Sequence, residues 1–353
     1  MKAKTKKKHA LEVRRDELAE KVVKLHYRRR PDLELRFGIR GRERCLEDVV
    51  FHIGFLVQAV AAQNSKIFLD YVLWAKALLV YRAIPVEDFQ TNLECLLRVI
   101  RTSLPANAQR LPAAYVKDAL AELPSMPTEL PSFVDDNQPH ARLANEYLQL
   151  LLLHDREKAG EVIRQALRDG VSISHVYQHI FTPAQREVGR LWQQNKITVA
   201  QEHYCTAATE VIMAQVSAGA LGRPRKELRL LAFCIEGENH CLGLHMFCEL
   251  MELNGWGVAY VGGNTPVGGV VELAKQYRPH VVAISATMVF NLPKIDGLIK
   301  ALRAGPSQPK LKFLVGGRAF EQDSRAWQRY EADAFAPDLL HGMEKAESLI
   351  SGS

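Results

Sequence analysis

The period of the apolar positions changes along the chain, and those changes divide it into blocks. From about Asp16 to Leu104 the spacing is helical. Phe51, Phe55 and Leu56 share one face, as do Phe68, Val72, Ala75 and Leu79, and Asp88 precedes a periodic stretch ending near Ile100. Pro105, Pro112, Pro124, Pro127, Pro131 and Pro139 then interrupt the pattern. They predict a Pro-rich linker over 105–140 with at most one short helix, around Tyr115 to Leu123. Helical period returns from Ala141 to Leu221 and resolves into Leu143 to Leu153, Arg156 to Asp169, Ser174 to Asn195 and Thr198 to Leu221. Gly170 closes the second of these, and Thr198 with Gln201 forms the pattern of a capping box. Short connections favour an antiparallel four-helix bundle over 141–222.

After Arg229 short apolar runs alternate with helical stretches. The runs are Leu230 to Ile235, Gly257 to Val261, Val281 to Ser285, Phe313 to Val315 and Ala332 to Phe335. Helices fit between them, beginning near His240, Val267, Leu292, Phe320 and Leu339. This alternation predicts a doubly wound α/β domain with a parallel sheet over 226–350. Ligands of such sheets bind beyond the carboxyl ends of the strands, which singles out the loops Glu236 to Gly243, Ser285 to Thr287, and Gly316-Gly317. The fold class is therefore multidomain α and α/β, with an all-α block at 16–104 ahead of the bundle. No internal repeat is present.

Composition narrows the picture. A chain of 353 residues with 47% hydrophobic positions can build two or three cores. The net charge of +6 is concentrated early, with Lys2, Lys4, Lys6 to Lys8, Arg14 and Arg15 in a basic tail at 1–15, followed by Arg28 to Arg30. A solvated tail is the simpler account, and contact with nucleic acid or an acidic partner stays open. No apolar run is long enough to span a bilayer, and the start lacks the apolar core of a signal peptide. Six cysteines without a CxxC pair suit a reduced, cytoplasmic protein without a membrane partner.

The most specific residues lie after the first α/β strand, in Glu238-Asn239-His240-Cys241-Leu242-Gly243, an E-x-H-x-x-G. Forty-one residues separate Gly243 from Ser285-Ala286-Thr287, and twenty-eight separate Thr287 from Gly316-Gly317. The three stretches resemble the D-x-H-x-x-G, S-x-L or S-x-T, and G-G motifs of cobalamin-binding domains such as those of methionine synthase and the corrinoid mutases. That resemblance implies that His240 is the lower axial ligand of cobalt, in place of cobalamin's own benzimidazole. Glu238, one methylene longer than the usual Asp, would fix the tautomer and basicity of the imidazole. Ser285 and Thr287 would hydrogen-bond the nucleotide tail, and Gly316 and Gly317 would let backbone pass close to it. The residues alone also allow a flavodoxin-like domain with an incidental histidine at a helix start, at the cost of two coincidences of spacing.

The bundle carries Trp192, then nine residues, then Glu202-His203. This W-x9-E-H resembles the cap of light-responsive cobalamin photoreceptors, including carotenoid-gene repressors. The resemblance implies that adenosylcobalamin lies between bundle and α/β domain, with Trp192 packed on the adenosyl group and Glu202 and His203 helping to bind it. On the residues alone, Trp192 could equally be bundle core and Glu202-His203 helix-start residues. Those repressors place a histidine directly after the tryptophan, where this chain has Gln193. A bis-histidine light adduct is then in doubt unless His203, His179 or His175 moves in, and water-ligated cobalt is equally allowed.

The first block lacks the winged-helix pattern of a repressor. It contains a basic stretch from Arg36 to Cys45, then Asp48, His52 and Phe55, then Tyr71, Trp74, Lys76, Tyr81 and Arg82. In architecture the whole chain resembles the photocobilins, which join a globin-like, bilin-binding domain to a cobalamin module. That implies a second chromophore, biliverdin, with His52, Arg36, Arg44, Cys45, Trp74 and Tyr71 as candidate bilin-binding residues. Simpler accounts are a satisfied, half-buried His52, an ordinary lone Cys45 and surface arginines.

Two functions follow from these resemblances. One is a light sensor in which breaking the Co–C bond changes conformation or self-association and signals to a protein partner. The other is a corrinoid protein carrying methyl groups between methyltransferases. W-x9-E-H and the extra N-terminal block favour the sensor. A mutase subunit is the weakest reading, because no large barrel fits in the chain.

Overall fold

The computed structural model describes residues 9–135, 137–218, 226–304, 311–323 and 325–351. Lys2 to Lys8 of the basic tail, and the end of the last bundle helix at 219–221, lie outside the described residues. The chain divides into two compact units, Met1–Leu130 with Gln193–Asn195, and Pro131–Trp192 with Lys196–Ser353.

The first unit is all helical: Arg15–Arg29, Asp32–Ala62, Lys66–Val80, Val86–Ser103 and Ala106–Glu122, with a short turn Ala10–Val13 in front. Helix Asp32–Ala62 is kinked at Gly38, whose φ of 60° only a residue without Cβ adopts easily. Val49, Ile53, Leu56, Phe68, Val72, Leu93 and Leu96 are buried in this unit's core. Phe51, expected beside Phe55, is 46% exposed, since residues four apart on a helix are offset by about 40° and it falls at the rim of the buried face.

Two expectations change here. The Pro-rich stretch starts with a full helix, Ala106–Glu122, instead of a linker with one short helix. Pro105 occupies the N-cap, where a missing N–H costs nothing, and Pro112 is buried where packing offsets its lost hydrogen bond. Among the described residues one helix, Asp32–Ala62, is also long and apolar enough to cross a membrane by length and composition. Half of its apolar window is buried in the unit, as the core helix of a bundle would be.

The second unit joins the bundle to the sheet. Bundle helices are Ala141–Leu152, Arg156–Arg168, Ile173–Val176 running through a π turn Tyr177–Phe181 into Thr182–Gln193, and Val199–Ala218. Pro183 cannot donate to the ladder, and the wide turn before it absorbs the break. The capping box is formed: Gln201 N–H donates to Thr198 Oγ1 at 3.2 Å, and Thr198 N–H to Gln201 Oε1 at 2.9 Å.

Five parallel strands, β1 (Arg229–Ile235), β2 (Gly257–Thr265), β3 (Val281–Ser285), β4 (Lys312–Gly316) and β5 (Ala334–Ala336), lie in the order β2-β1-β3-β4-β5. The order reverses beside β1, the switch point where doubly wound sheets bind ligands. Tyr147, Tyr177, Phe181 and Met213 of the bundle share one buried core with Leu244, Phe247 and Met251 of the helix after β1.

Candidate functional site

The site is built on neighbouring strand ends. β1, β3 and β4 are adjacent, and Cys234 pairs with Ser285, which pairs with Gly316. The three motifs therefore meet at one edge of the sheet.

Beyond β1 the chain turns at Gly237 (φ 84°) before helix Leu242–Leu253 begins. The turn sends Glu238 inward, with no exposed side-chain surface, and leaves the His240 side chain 64% exposed. Glu238 Oε1 lies 2.5 Å from His240 Nδ1 and accepts the His240 N–H at 3.1 Å. Its Oε2 accepts the N–H groups of Thr287 at 2.8 Å and Met288 at 2.9 Å. One carboxylate thus ties the β1 loop to the β3 loop. Burial pushes the Glu238 carboxyl up, but the His240 bond and the two backbone donors outweigh it and hold the carboxyl at about 2. The same bond raises the His240 imidazole against its burial, with the charge of Glu202 adding to it. With Nδ1 committed to Glu238, Nε2 is the ring nitrogen available to a metal.

The glycines shape the other side. A Cβ on Gly317 (φ 93°) would stand 2.5 Å from the Ala286 carbonyl oxygen and 2.9 Å from Ser285 Oγ. A Cβ on Gly316 would stand 3.3 Å from the Ala336 carbonyl oxygen. Both allow β4 to end hard against its neighbours. Gly243 faces open space, with nothing within 4 Å of an added Cβ. Ser285 and Thr287 are half-buried. An imidazole with Nε2 uncommitted, beside hydroxyls and glycines on adjacent strand ends, fits a cobalt corrinoid with a nucleotide tail.

Sequence reasoning missed the supporting asparagines. Asn264 Oδ1 accepts the Gly237 N–H at 2.8 Å, and its own N–H donates to the Glu238 carbonyl at 2.8 Å. Asn291, buried to 1%, donates Nδ2 to the Gly237 carbonyl at 3.3 Å and to Glu238 Oε2 at 3.4 Å. The Gly262-Gly263-Asn264 stretch near the end of β2, where its pairing with β1 shifts register, was the available signal for the first. A single asparagine in an apolar stretch gave none for the second.

On the bundle, Glu202 and His203 open helix Val199–Ala218, with Glu202 Oε2 2.5 Å from His203 Nδ1. His203 is exposed, and Glu202 stands within electrostatic reach of His240. Trp192 is half-buried and packs against the shared core. Also unforeseen is a buried tie between bundle and sheet domain, in which Tyr177 of the π turn donates its hydroxyl to Glu249 of helix Leu242–Leu253. Gln193, grouped with the first unit, is 4% exposed and donates Nε2 to the Trp74 carbonyl at 3.0 Å.

The candidate bilin residues separate. His52 and Tyr71 come together, both buried, with Nδ1 2.6 Å from the phenol oxygen. Phe55 stacks on Tyr71 at 4.0 Å, and the Trp74 ring centre is 6.3 Å away. Burial pushes the His52 imidazole down to about 3. Cys45 lies two turns before His52 on the same helix, 3.7 Å from His26 Nδ1, and burial pushes its thiol up to about 12. Arg36 is taken by Asp32 and Asp88, and the exposed Arg44 by Glu47.

Comparison with known proteins agrees with this geometry. Residues 143–217 and 228–338 each match a family model described as a B12 binding domain. The chain is similar to trimethylamine corrinoid protein 1 of Methanosarcina acetivorans, with 26% identity over 205 residues, 56% of this chain and 88% of that one. It is similar to dimethylamine corrinoid protein 1 of Methanosarcina mazei, with 25% identity over 201 residues, 56% of this chain and 87% of that one. Its fold is shared with the monomethylamine corrinoid protein of Methanosarcina barkeri, at a TM-score of 0.52 and 17% identity over 59% of this chain and 98% of that one.

Proposed function

Starting from a chain that carries a B12-binding cap and a Rossmann-like B12-binding domain, we propose that it is a corrinoid protein that carries a methyl group for a separate methyltransferase. The meeting of Glu238-His240, Ser285-Thr287 and Gly316-Gly317 at adjacent strand ends carries the cobalamin part of the reading. Likeness to methylamine corrinoid proteins across both cap and sheet domain supports the carrier part.

Bound cobalamin supplies a cobalt centre that exchanges a ligand on one face while the protein holds the other. His240 would coordinate through Nε2. Glu238 keeps the proton on Nδ1 and the ring in place through its 2.5 Å contact. Ser285 and Thr287 would hold the tail through their hydroxyls, and Gly316 and Gly317 let β4 end close against the strand ends beside it. Such a protein holds and presents its cargo and is not itself the catalyst.

A light sensor is the second reading, which rests on the resemblance of Trp192 and Glu202-His203 to a photoreceptor cap. It is tested together with the first by isolating the protein from its native cells in dim light and identifying the upper ligand by mass spectrometry. A methyl ligand, with gel-filtration volume unchanged by green light, supports the carrier. An adenosyl ligand, with that volume changing on illumination, overturns it in favour of the sensor. A red-shifted, protein-bound band on adding biliverdin would extend that sensor with the second chromophore, and its absence would remove the bilin.

A further inference from the structure

Three histidines of the cap segment, two of them considered above only as upper cobalt ligands, stand together in the structure. His175 and His179 are four residues apart, on one face of the helical run from Ile173 through the π turn. His140, at the N-cap of helix Ala141–Leu152, brings a third ring from a different segment and holds a left-handed conformation (φ 60°). The ring centres are 5.3 Å apart for His175 and His179, 6.1 Å for His140 and His175, and 6.4 Å for His140 and His179.

Those spacings are close to what one ion requires. A metal–nitrogen distance of about 2.1 Å puts each ring centre roughly 3 Å from the metal, and two such centres roughly 5 Å apart in a tetrahedral site. Among the described residues no three His, Cys, Asp or Glu side chains already stand in a metal-holding arrangement. Forming a site would require the rings to turn toward one another. His175 is exposed and His140 and His179 are half-buried, so the rings can turn and a cation can enter.

A carboxylate is also at hand. Asp338, just before helix Leu339–Ser351, acts on His179 by its charge. Gln178, beside His179, fixes that helix start by accepting the Leu339 N–H at 3.2 Å. Asp338 at present pairs with His341 at 2.7 Å.

We propose that His140, His175 and His179 form a site for a divalent transition cation of the Zn2+ type, with Asp338 as the fourth ligand. Three imidazoles and one carboxylate suit such an ion and do not suit Ca2+ or Mg2+. The ion would staple three places together: the segment leading into the bundle, the π turn, and the start of the last helix. This inference is independent of the corrinoid reading.

The test uses the full chain without a histidine tag, stripped with chelator and titrated with ZnCl2 by calorimetry. The expected result is one equivalent bound at roughly micromolar affinity or tighter. Binding should weaken by about 30-fold or more in His175→Ala/His179→Ala, and by about 10-fold in the milder Asp338→Asn. His154→Ala, an exposed histidine outside the group, should bind zinc like the wild type. Zinc should raise the melting temperature of the wild type and not that of the double variant. Should the double variant misfold, His175→Asn, at an exposed position, must show the weakening alone. Absence of a saturable equivalent in the wild type, or equal affinity in the variants, would overturn the site. Retained cobalamin binding in the variants reports that they are folded, which separates failure of this site from failure of the other.

Discussion

Two histidines in this molecule have a polar partner at similar distance, and they end in opposite situations. In the sheet domain Glu238 is wholly buried while the His240 ring it holds is 64% exposed. In the N-terminal unit His52 and Tyr71 are both buried, and each satisfies the other. The first pair spends its buried member on fixing an outward nitrogen, which is what a ligand site needs. The second closes on itself and leaves a stable core contact. A candidate residue is therefore judged by which of its atoms remains uncommitted, not by its type alone.

The comparison can be broken most forcefully at the strand ends. Gly317→Ala places a Cβ against the Ala286 carbonyl at a φ of 93°, and that obstacle is backbone, which cannot rotate aside as a side chain would. It should cost about 2 kcal/mol or more of stability in the second unit and abolish cobalamin binding. Denaturant melts and cobalamin titration measure both, and wild-type values in the two would show that the glycine cleft is not needed.

The closed pair gives an effect of intermediate size, read through pH. His52 is neutral in the folded state, with its pKa pushed down to about 3 from an ordinary 6.5. Below pH 6.5 the unfolded chain takes up a proton that the folded chain refuses, so stability falls progressively as the pH drops toward 3. His52→Phe should flatten that loss between pH 6 and 4 by roughly 1–2 kcal/mol relative to wild type, discounting the shift for relaxation. Parallel slopes in urea melts across this range would mean that His52 already finds water or a counter-charge.

The smallest effect is expected at Arg44, 76% exposed and paired only with Glu47. Arg44→Ala should change stability by less than about 0.5 kcal/mol and leave biliverdin absorbance as it is in the wild type. A marked drop in either would restore Arg44 as a binding residue.

Much of the second unit was legible because its determinants are local. Strand lengths, the Thr198–Gln201 box and the E-x-H-x-x-G, S-x-T and G-G stretches depend on turn chemistry that neighbouring residues declare. Glu238 beside His240 could be read from a spacing of two. Its contacts with Thr287 and Met288, and the support from Asn264 and Asn291, depend on chain separated by 26 to 54 residues, which no local pattern pairs. The N-terminal unit was less legible for the same reason. Helical period shows which face is apolar, yet Arg36 pairing with Asp88, or Cys45 settling beside His26, is decided only by how the helices pack. Pro112 misled because its helix position is rescued by burial.

The central claim is that His240 Nε2 takes the lower position on cobalt. Paramagnetic resonance of the cob(II)alamin-loaded full chain tests it directly, using protein labelled with 15N-histidine and unlabelled cofactor. The axial nitrogen splitting should change from a triplet in unlabelled protein to a doublet in labelled protein, and the doublet should vanish in His240→Ala. A triplet that persists in the labelled wild type would mean that the cofactor's own benzimidazole still holds the cobalt, and would contradict the account.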